Sequence, residues 1–137
     1  MRLLEGKRIF IVEDNMGNNA VMTLLLEWQG AKVVFERWGT DAVERLNAFA
    51  PVDIILLDLM LPNGLTGYEV FDQIRQISDF ALVPIVAVSA ADASTAIPKT
   101  RAQGFDGYIA KPIDYDLFPK QVEQLIKHEP VWYTTRG

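Results

Sequence analysis

PVDIILLDLMLP, residues Pro51–Pro62, is the stretch around which the rest of the chain is organised. From Val52 to Leu57 the run is almost entirely apolar, rich in Ile and Leu, and too short for an ordinary buried helix. Such a run is typical of a strand covered on both faces of a parallel sheet. The run ends at Asp58, which places this carboxylate at the carboxyl edge of the sheet, where open α/β folds bind ligands. Asp58 is therefore the first candidate for chemistry, and the alternative from this stretch alone is a residue that caps the following loop.

Composition limits the classes of protein to which the chain can belong. The 137 residues, 50% of them hydrophobic, have the size of one domain with a single substantial core. The formal net charge is -5 without a Lys/Arg cluster, so we expect no nucleic-acid-binding surface. The absence of cysteine and the single His128 exclude disulfides and a zinc cluster. No apolar run approaches the ~20 residues that cross a bilayer, so we expect a cytoplasmic protein that acts through protein partners and not at a membrane.

Short apolar segments alternate with amphipathic segments along the chain. The apolar segments begin near Arg8, Lys32, Val52, Val83 and Tyr108. Between them, apolar residues recur at helical spacing, as do Val21, Leu24, Leu25 and Trp28 in the first helix. This alternation predicts an α/β fold, in which a doubly wound, five-stranded parallel sheet carries helices on both faces.

Three segments are less regular than this scheme. The segment after the fourth strand has a helical composition but carries Pro98, and a helix tolerates proline in its first turn and not in its middle. We therefore expect the fourth helix to begin near Pro98 or to be kinked there, and the last helix to begin at Pro119. The end of the chain has no helical pattern, so we expect a domain over residues 1–128 and a C-terminal tail over residues 129–137.

Polar side chains stand at the ends of four of the strands. In chain order they are Glu13, Asp14, Asp58, Ser89 and Lys111. The carboxyl ends of parallel strands meet at one edge of a sheet, so we expect the five side chains to share one crevice. Three carboxylates placed together repel unless a cation lies among them, and an all-oxygen site with few protein ligands suits Mg²⁺. The set predicts a carboxylate nucleophile, a magnesium ion, and two groups that stabilise charge on a phosphoryl group in transfer.

Taken together, these residues resemble the response-regulator receiver domains of two-component signalling, and in particular stand-alone receivers of the chemotaxis type. The resemblance covers about residues 7–128. It is carried by the acidic pair followed by asparagine, by Asp58 with Pro62, and by the dipeptides Ser89-Ala90 and Lys111-Pro112. The resemblance implies a flavodoxin-like strand order of 2-1-3-4-5 and a cis peptide bond before the proline that follows the lysine.

The resemblance also implies a donor, an acceptor and a metal. Asp58 would accept a phosphoryl group from a phosphohistidine of a sensor histidine kinase or of a histidine phosphotransfer protein. Mg²⁺ would be held by the carboxylates of Glu13, Asp14 and Asp58 and by the backbone carbonyl of Met60. The sequence leaves open whether this receiver stands alone or belongs to a longer protein.

Three further residues have roles implied by the resemblance. Ser89 and Lys111 would contact the phosphoryl group. Tyr108 would be an aromatic switch, and its movement would change the surface near the last helix that a downstream protein target reads. Members of this family act as switches rather than enzymes, although they assist their own phosphorylation and dephosphorylation.

Other functions are compatible with a fold of this kind. A degenerate receiver would bind partners without phosphorylation, and the complete set of site residues speaks against it. An aspartyl-phosphate hydrolase resembles a family that uses a second Asp two residues after the nucleophile, where this chain has Met60, which cannot transfer protons. A flavodoxin-like flavin carrier would need a Ser/Thr/Gly-rich loop after the first strand, and that loop is acidic here.

Overall fold

A computed structural model describes residues 2–134, in which strands and helices alternate. The six strands, β1 to β6 in chain order, are Arg8–Val12, Lys32–Glu36, Ile54–Leu57, Ile85–Ser89, Gly107–Ala110 and Val131–Tyr133. The five helices, α1 to α5, are Met16–Trp28, Ala42–Phe49, Gly67–Arg75, Ala93–Gln103 and Leu117–Ile126. A short 3-10 helix, Ser78–Phe80, precedes β4. No helix in this described part of the chain has the length and apolar character needed to cross a membrane.

All neighbouring strands pair in parallel, in the order β2-β1-β3-β4-β5-β6. The α/β class and the order 2-1-3-4-5 are therefore confirmed. The predicted number of strands is wrong by one, because Val131–Tyr133 adds a sixth strand to the free edge of β5. This strand lies in the predicted tail, of which residues 135–137 fall outside the described residues.

The sheet lies between two apolar cores. Alternate side chains of β1 point to opposite faces, so that Phe10 and Val12 pack with α2, α3 and α4, whereas Ile9 and Ile11 pack with α1 and α5. The central strand β3 is buried along its whole length, as its unbroken apolar sequence predicts. This double cover leaves the ends of the strands as the places where polar side chains of the sheet can meet a ligand.

Helix α4 does not begin near Pro98, so the first of the two alternatives is wrong, and a kink at Pro98 stays a prediction. The helix begins at Ala93, where Asp92 Oδ1 accepts the N–H of Ser94 at 3.1 Å and so caps the first turn. Pro98 lies on the exposed side of the helix, where water can reach the carbonyl that loses its helical partner. The helix ends at Gln103, and Gly104 follows it in the left-handed conformation that favours glycine.

The segment between β5 and α5 agrees with the prediction at one point and differs at another. The Lys111–Pro112 peptide bond is cis, as the resemblance implies. Helix α5 begins at Leu117 and not at Pro119, because Asp114 Oδ1 accepts the Leu117 N–H at 2.9 Å and starts the helix earlier. Pro119 then occupies the first turn, where a backbone N–H would have no partner within the helix, so the proline costs no hydrogen bond.

Of the four apolar residues that recur at helical spacing in α1, Leu24 and Trp28 do not face the core. Met22 and Leu26 are buried, whereas Leu24 is 60% exposed and Trp28 is 71% exposed. The helix carries apolar residues on several sides, so the spacing of apolar residues does not single out one face. Leu24 and Trp28 consequently form an exposed apolar surface outside the core.

Candidate functional site

The carboxyl ends of β1 and β3 bring three carboxylates together. β1 and β3 pair in parallel with Val12 opposite Leu57, so the residues that follow these two positions lie side by side. One oxygen each of Glu13, Asp14 and Asp58 lies within 4.8 Å of the other two. Glu13 and Asp58 are buried, and Asp14 is half-buried. The structure thus assembles the acidic group that the strand ends predict.

Lys111 supplies a positive charge to this group. Its Nζ donates a hydrogen bond to Asp58 Oδ2 at 3.1 Å and another to Glu13 Oε1. Its backbone N–H donates to the carbonyl of Ser89 at 2.9 Å, which extends the pairing of β4 and β5 just past the end of β5. The parallel sheet therefore holds the ammonium group in place beside two buried carboxylates.

The charges of the site favour the binding of a further cation. Burial raises the pKa of the Glu13 carboxyl above its ordinary value, because the charged form loses solvation inside the protein. Lys111 opposes this rise and the negative charge of Asp58 adds to it. One ammonium group among three carboxylates leaves net negative charge in the cluster. The donor atoms are carboxylate oxygens, the ligands that Mg²⁺ prefers, so the residues present fit a magnesium ion.

The loop after Asp58 is tightly packed against the start of α3. Asp58 Oδ1 accepts the N–H of Met60 at 3.1 Å, so this carboxylate also caps its loop while its other oxygen binds the ammonium group. A Cβ atom on Gly67 would lie 2.2 Å from the backbone oxygen of Asp58, which explains the glycine at this position. The backbone of Met60 forms an antiparallel bridge with Thr66. The role of the Met60 carbonyl as a metal ligand stays a prediction.

Ser89 and Tyr108 are connected through the backbone of Ala91. Ser89 is fully buried at the end of β4, and its Oγ accepts the N–H of Ala91 at 3.1 Å. The hydroxyl of Tyr108 donates to the carbonyl of Ala91 at 3.1 Å, and the tyrosine is 0% exposed. Burial raises the pKa of Tyr108 above its ordinary value. The Tyr108 ring thus faces inward, and its role as a switch stays a prediction.

Two asparagines hold the acidic loop in place, a role that was predicted for neither of them. Asn19, which is buried in α1, donates from Nδ2 to the carbonyl of Glu13 at 2.9 Å. Asn15 donates its N–H to Glu13 Oε2 at 3.0 Å and caps α1 with its side chain. Asparagine immediately before a helical run is an N-cap signal that could have identified Asn15. No local signal marks Asn19, because its partner is set by the tertiary structure.

The chain belongs to the response regulator receiver domain family, whose family model matches residues 9–123. This match covers every strand end that contributes a polar side chain to the site. The match confirms the resemblance to response-regulator receiver domains. Acceptance of a phosphoryl group in two-component signalling is typical of the family.

Individual relatives agree with this assignment. Protein PilH of Pseudomonas aeruginosa is 28% identical over 119 residues, which cover 87% of this chain and 97% of that protein. The receiver domain of the sensor histidine kinase PA1611 from Pseudomonas aeruginosa has a crystal structure with a magnesium ion coordinated in the active site cleft. That structure is 31% identical in sequence and has a TM-score of 0.77, and the match covers 89% of this chain and 98% of that one. The chemotaxis response regulator CheY4 of Vibrio cholerae, 21% identical with a TM-score of 0.78 over 87% of this chain and 98% of that one, shares the fold.

Proposed function

We propose that the chain is a phosphoryl-accepting signalling switch and that Asp58 is the acceptor. The observation that carries this proposal is the arrangement around Asp58. Its Oδ2 lies 3.1 Å from Lys111 Nζ, and its carboxylate forms one cluster with Glu13 and Asp14. A carboxylate nucleophile, a fixed positive charge and a group of cation-binding oxygens are the components that phosphoryl transfer to a side chain requires.

In the proposed reaction, an oxygen of Asp58 attacks the phosphorus atom of a phosphohistidine. An O–P bond forms as the N–P bond breaks, and the electron pair of the broken bond stays on the imidazole nitrogen. The donor leaves as neutral imidazole when its other ring nitrogen carries a proton. Lys111 Nζ and the Ser89 hydroxyl are the groups of this chain that would donate hydrogen bonds to the phosphoryl oxygens.

The acidic residues have a separate part in the proposal. Glu13, Asp14 and Asp58, with the backbone carbonyl of Met60, are the groups that would hold Mg²⁺. The bound ion would supply positive charge for the phosphoryl oxygens. Hydrogen bonds from Asn15 and Asn19 to Glu13 fix the acidic loop, so the carboxylates are oriented before a cation arrives.

A groove beside the acceptor suits a protein donor. Its volume is about 280 Å³, and its lining comes from α1, from Ala90 after β4 and from the segment after β5. The lining residues include Val21, Met22, Pro112, Ile113 and Tyr115, with Lys111 at the acceptor. Apolar side chains next to a charged site are suited to contact with another protein surface. We therefore propose a sensor histidine kinase or a histidine phosphotransfer protein as the donor, and a downstream protein as the target.

Intact mass after incubation with acetyl phosphate and Mg²⁺ tests the proposed function. Wild-type protein should gain one phosphoryl group, and Asp58→Asn should gain none. Asp79→Asn, which changes an exposed acid in the 3-10 helix, is the matched control and should be labelled like wild type. Excess chelator should abolish labelling. A folded wild-type protein that takes up no phosphoryl group would support the degenerate receiver instead.

A further inference from the structure

The C-terminal strand β6 covers the edge of the sheet beside Tyr108. β6 pairs with β5 in parallel, and Trp132 stands opposite Tyr108 in the register. Trp132 packs against the same core cluster that contains Tyr108, whereas Val131 packs on the opposite face of the sheet. The guanidinium carbon of Arg101, on α4, lies 4.4 Å from the centroid of the Trp132 ring. The indole therefore packs beside α4 and against the core cluster that contains Tyr108.

The sequence of β5 is adapted to this strand. A Cβ atom on Gly107 would lie 2.7 Å from the backbone oxygen of Val131 and 2.7 Å from Leu125 Cδ2. A side chain at this position would push β6 away from the sheet, so the glycine permits the close approach of the two backbones. The docking of β6 thus depends on a specific residue of its neighbour as well as on its own side chains.

Tyr108 links this strand to the proposed phosphoryl site. Its hydroxyl holds the carbonyl of Ala91, and the N–H of Ala91 is held by Ser89 Oγ. Because Ser89 Oγ acts as an acceptor in this hydrogen bond, its own O–H remains available as a donor. An inward Tyr108 therefore fixes the loop that adjoins Ser89, whose O–H would donate to a phosphoryl oxygen.

We propose that Trp132 is a positioning residue for phosphoryl transfer, which acts by covering Tyr108 and holding its ring inward. This inference rests on the proposed function of Ser89. Loss of the indole opens the edge of the sheet, so Tyr108 gains outward conformations in which its bond to Ala91 is absent. The apparent affinity for a phosphoryl group then falls in proportion to the fraction of molecules that keep the inward arrangement.

The affinity of the protein for beryllofluoride, a stable phosphoryl mimic, tests this inference and is measured by calorimetry in the presence of Mg²⁺. Trp132→Ala should weaken binding about fivefold or more, the lower end of the range for coupled sites. Trp28→Ala removes an indole that is 71% exposed on α1, and it should bind like wild type. In a Tyr108→Ala background, Trp132→Ala should have no further effect, because the connecting residue is missing.

The outcomes separate this inference from the proposed function. Wild-type protein that does not bind the mimic would contradict the proposed function. Equal affinities of wild type and Trp132→Ala for the mimic would overturn the role of Trp132 and leave the proposed function intact. If Trp132→Ala weakens binding as much in the Tyr108→Ala background as in wild type, the route through Tyr108 is overturned. A purely structural role would lower the melting temperature without changing the affinity. Arg101→Ala leaves the strand pairing in place and should weaken binding in the same direction, which keeps the test decisive if Trp132→Ala does not fold.

Discussion

Replacing Lys111 with methionine removes the positive charge that lies between two buried carboxylates. The side chains of Glu13 and Asp58 are 1% and 6% exposed, so neither can regain full hydration when the ammonium group is lost. Removing one partner of a buried ion pair costs about 3–5 kcal/mol of folding stability. We expect the lower end, about 3 kcal/mol, because protonation of a carboxyl relieves part of the cost. In a domain of this size that loss lowers the melting temperature by roughly 10 °C.

The loss of stability in Lys111→Met should grow with pH. Burial raises the pKa of Glu13 in the folded state above its ordinary value of 4.5. At a pH between the unfolded and the folded pKa, the folded state therefore holds more protons than the unfolded state. A raised carboxyl pKa favours folding below the unfolded value, and this contribution is lost as the pH rises through the folded value. Loss of Lys111 raises the pKa of Glu13 further. The difference from wild type should therefore be small below pH 4.5 and largest near neutral pH.

Thermal denaturation followed by circular dichroism, in chelator and at several pH values, measures this effect. Lys111→Arg keeps the charge and should lose less stability than Lys111→Met. Lys120→Met changes an exposed lysine of α5 and should melt like wild type. Mg²⁺ should restore part of the stability of Lys111→Met, because a bound cation offsets the same carboxylates. Equal melting temperatures for Lys111→Met and Lys120→Met at neutral pH would refute this account of the site's charges.

The remaining predictions concern the loops around the site. Met60 and Ala91 lie two positions beyond the acceptor and the site serine, and neither side chain can orient an attacking water. We therefore expect Met60→Asn and Ala91→Glu to shorten the lifetime of the phosphorylated protein about tenfold or more. The decay of the phosphorylated mass measures this lifetime. Gly67→Ala should slow labelling by acetyl phosphate and lower stability, because the added Cβ would meet the Asp58 backbone oxygen at 2.2 Å. Tyr108→Phe should lose about 1 kcal/mol of stability in urea unfolding at neutral pH. Because the pKa of Tyr108 is raised, wild-type protein should lose stability as the pH rises above 10. Tyr108→Phe has no phenol to ionise, so its stability should fall less over the same range.

Much of the site could be predicted because it depends on strand ends. A short apolar run that stops at a polar residue locates both the strand and the side chain that follows it. The parallel order then brings residues such as Asp58 and Lys111 together, although they are far apart in the chain. The start of α3 also carries a signal in the sequence, because Thr66 and Glu69 form a capping box at the N-terminus of the helix.

The features that were missed depend on tertiary contacts. The three residues of β6 are half-buried and form a strand because the edge of β5 is available to pair with them. The buried face of α1 could not be chosen from spacing, because Leu24 and Trp28 are as apolar as the residues that the core covers. Helix α4 continues past Pro98 because the proline lies on the side of the helix that faces solvent. In each case the local pattern allowed two structures, and packing against distant residues selected one.

The central claim is that Asp58 carries the phosphoryl group, and chemical trapping identifies the phosphorylated residue most directly. Borohydride reduces an aspartyl phosphate to homoserine, which peptide mass spectrometry locates in the sequence. After incubation with acetyl phosphate and Mg²⁺, we expect homoserine at Asp58 and unchanged aspartate at Asp14 and Asp53. Homoserine at another acidic residue, or full labelling of the protein with no homoserine at Asp58, would contradict the account.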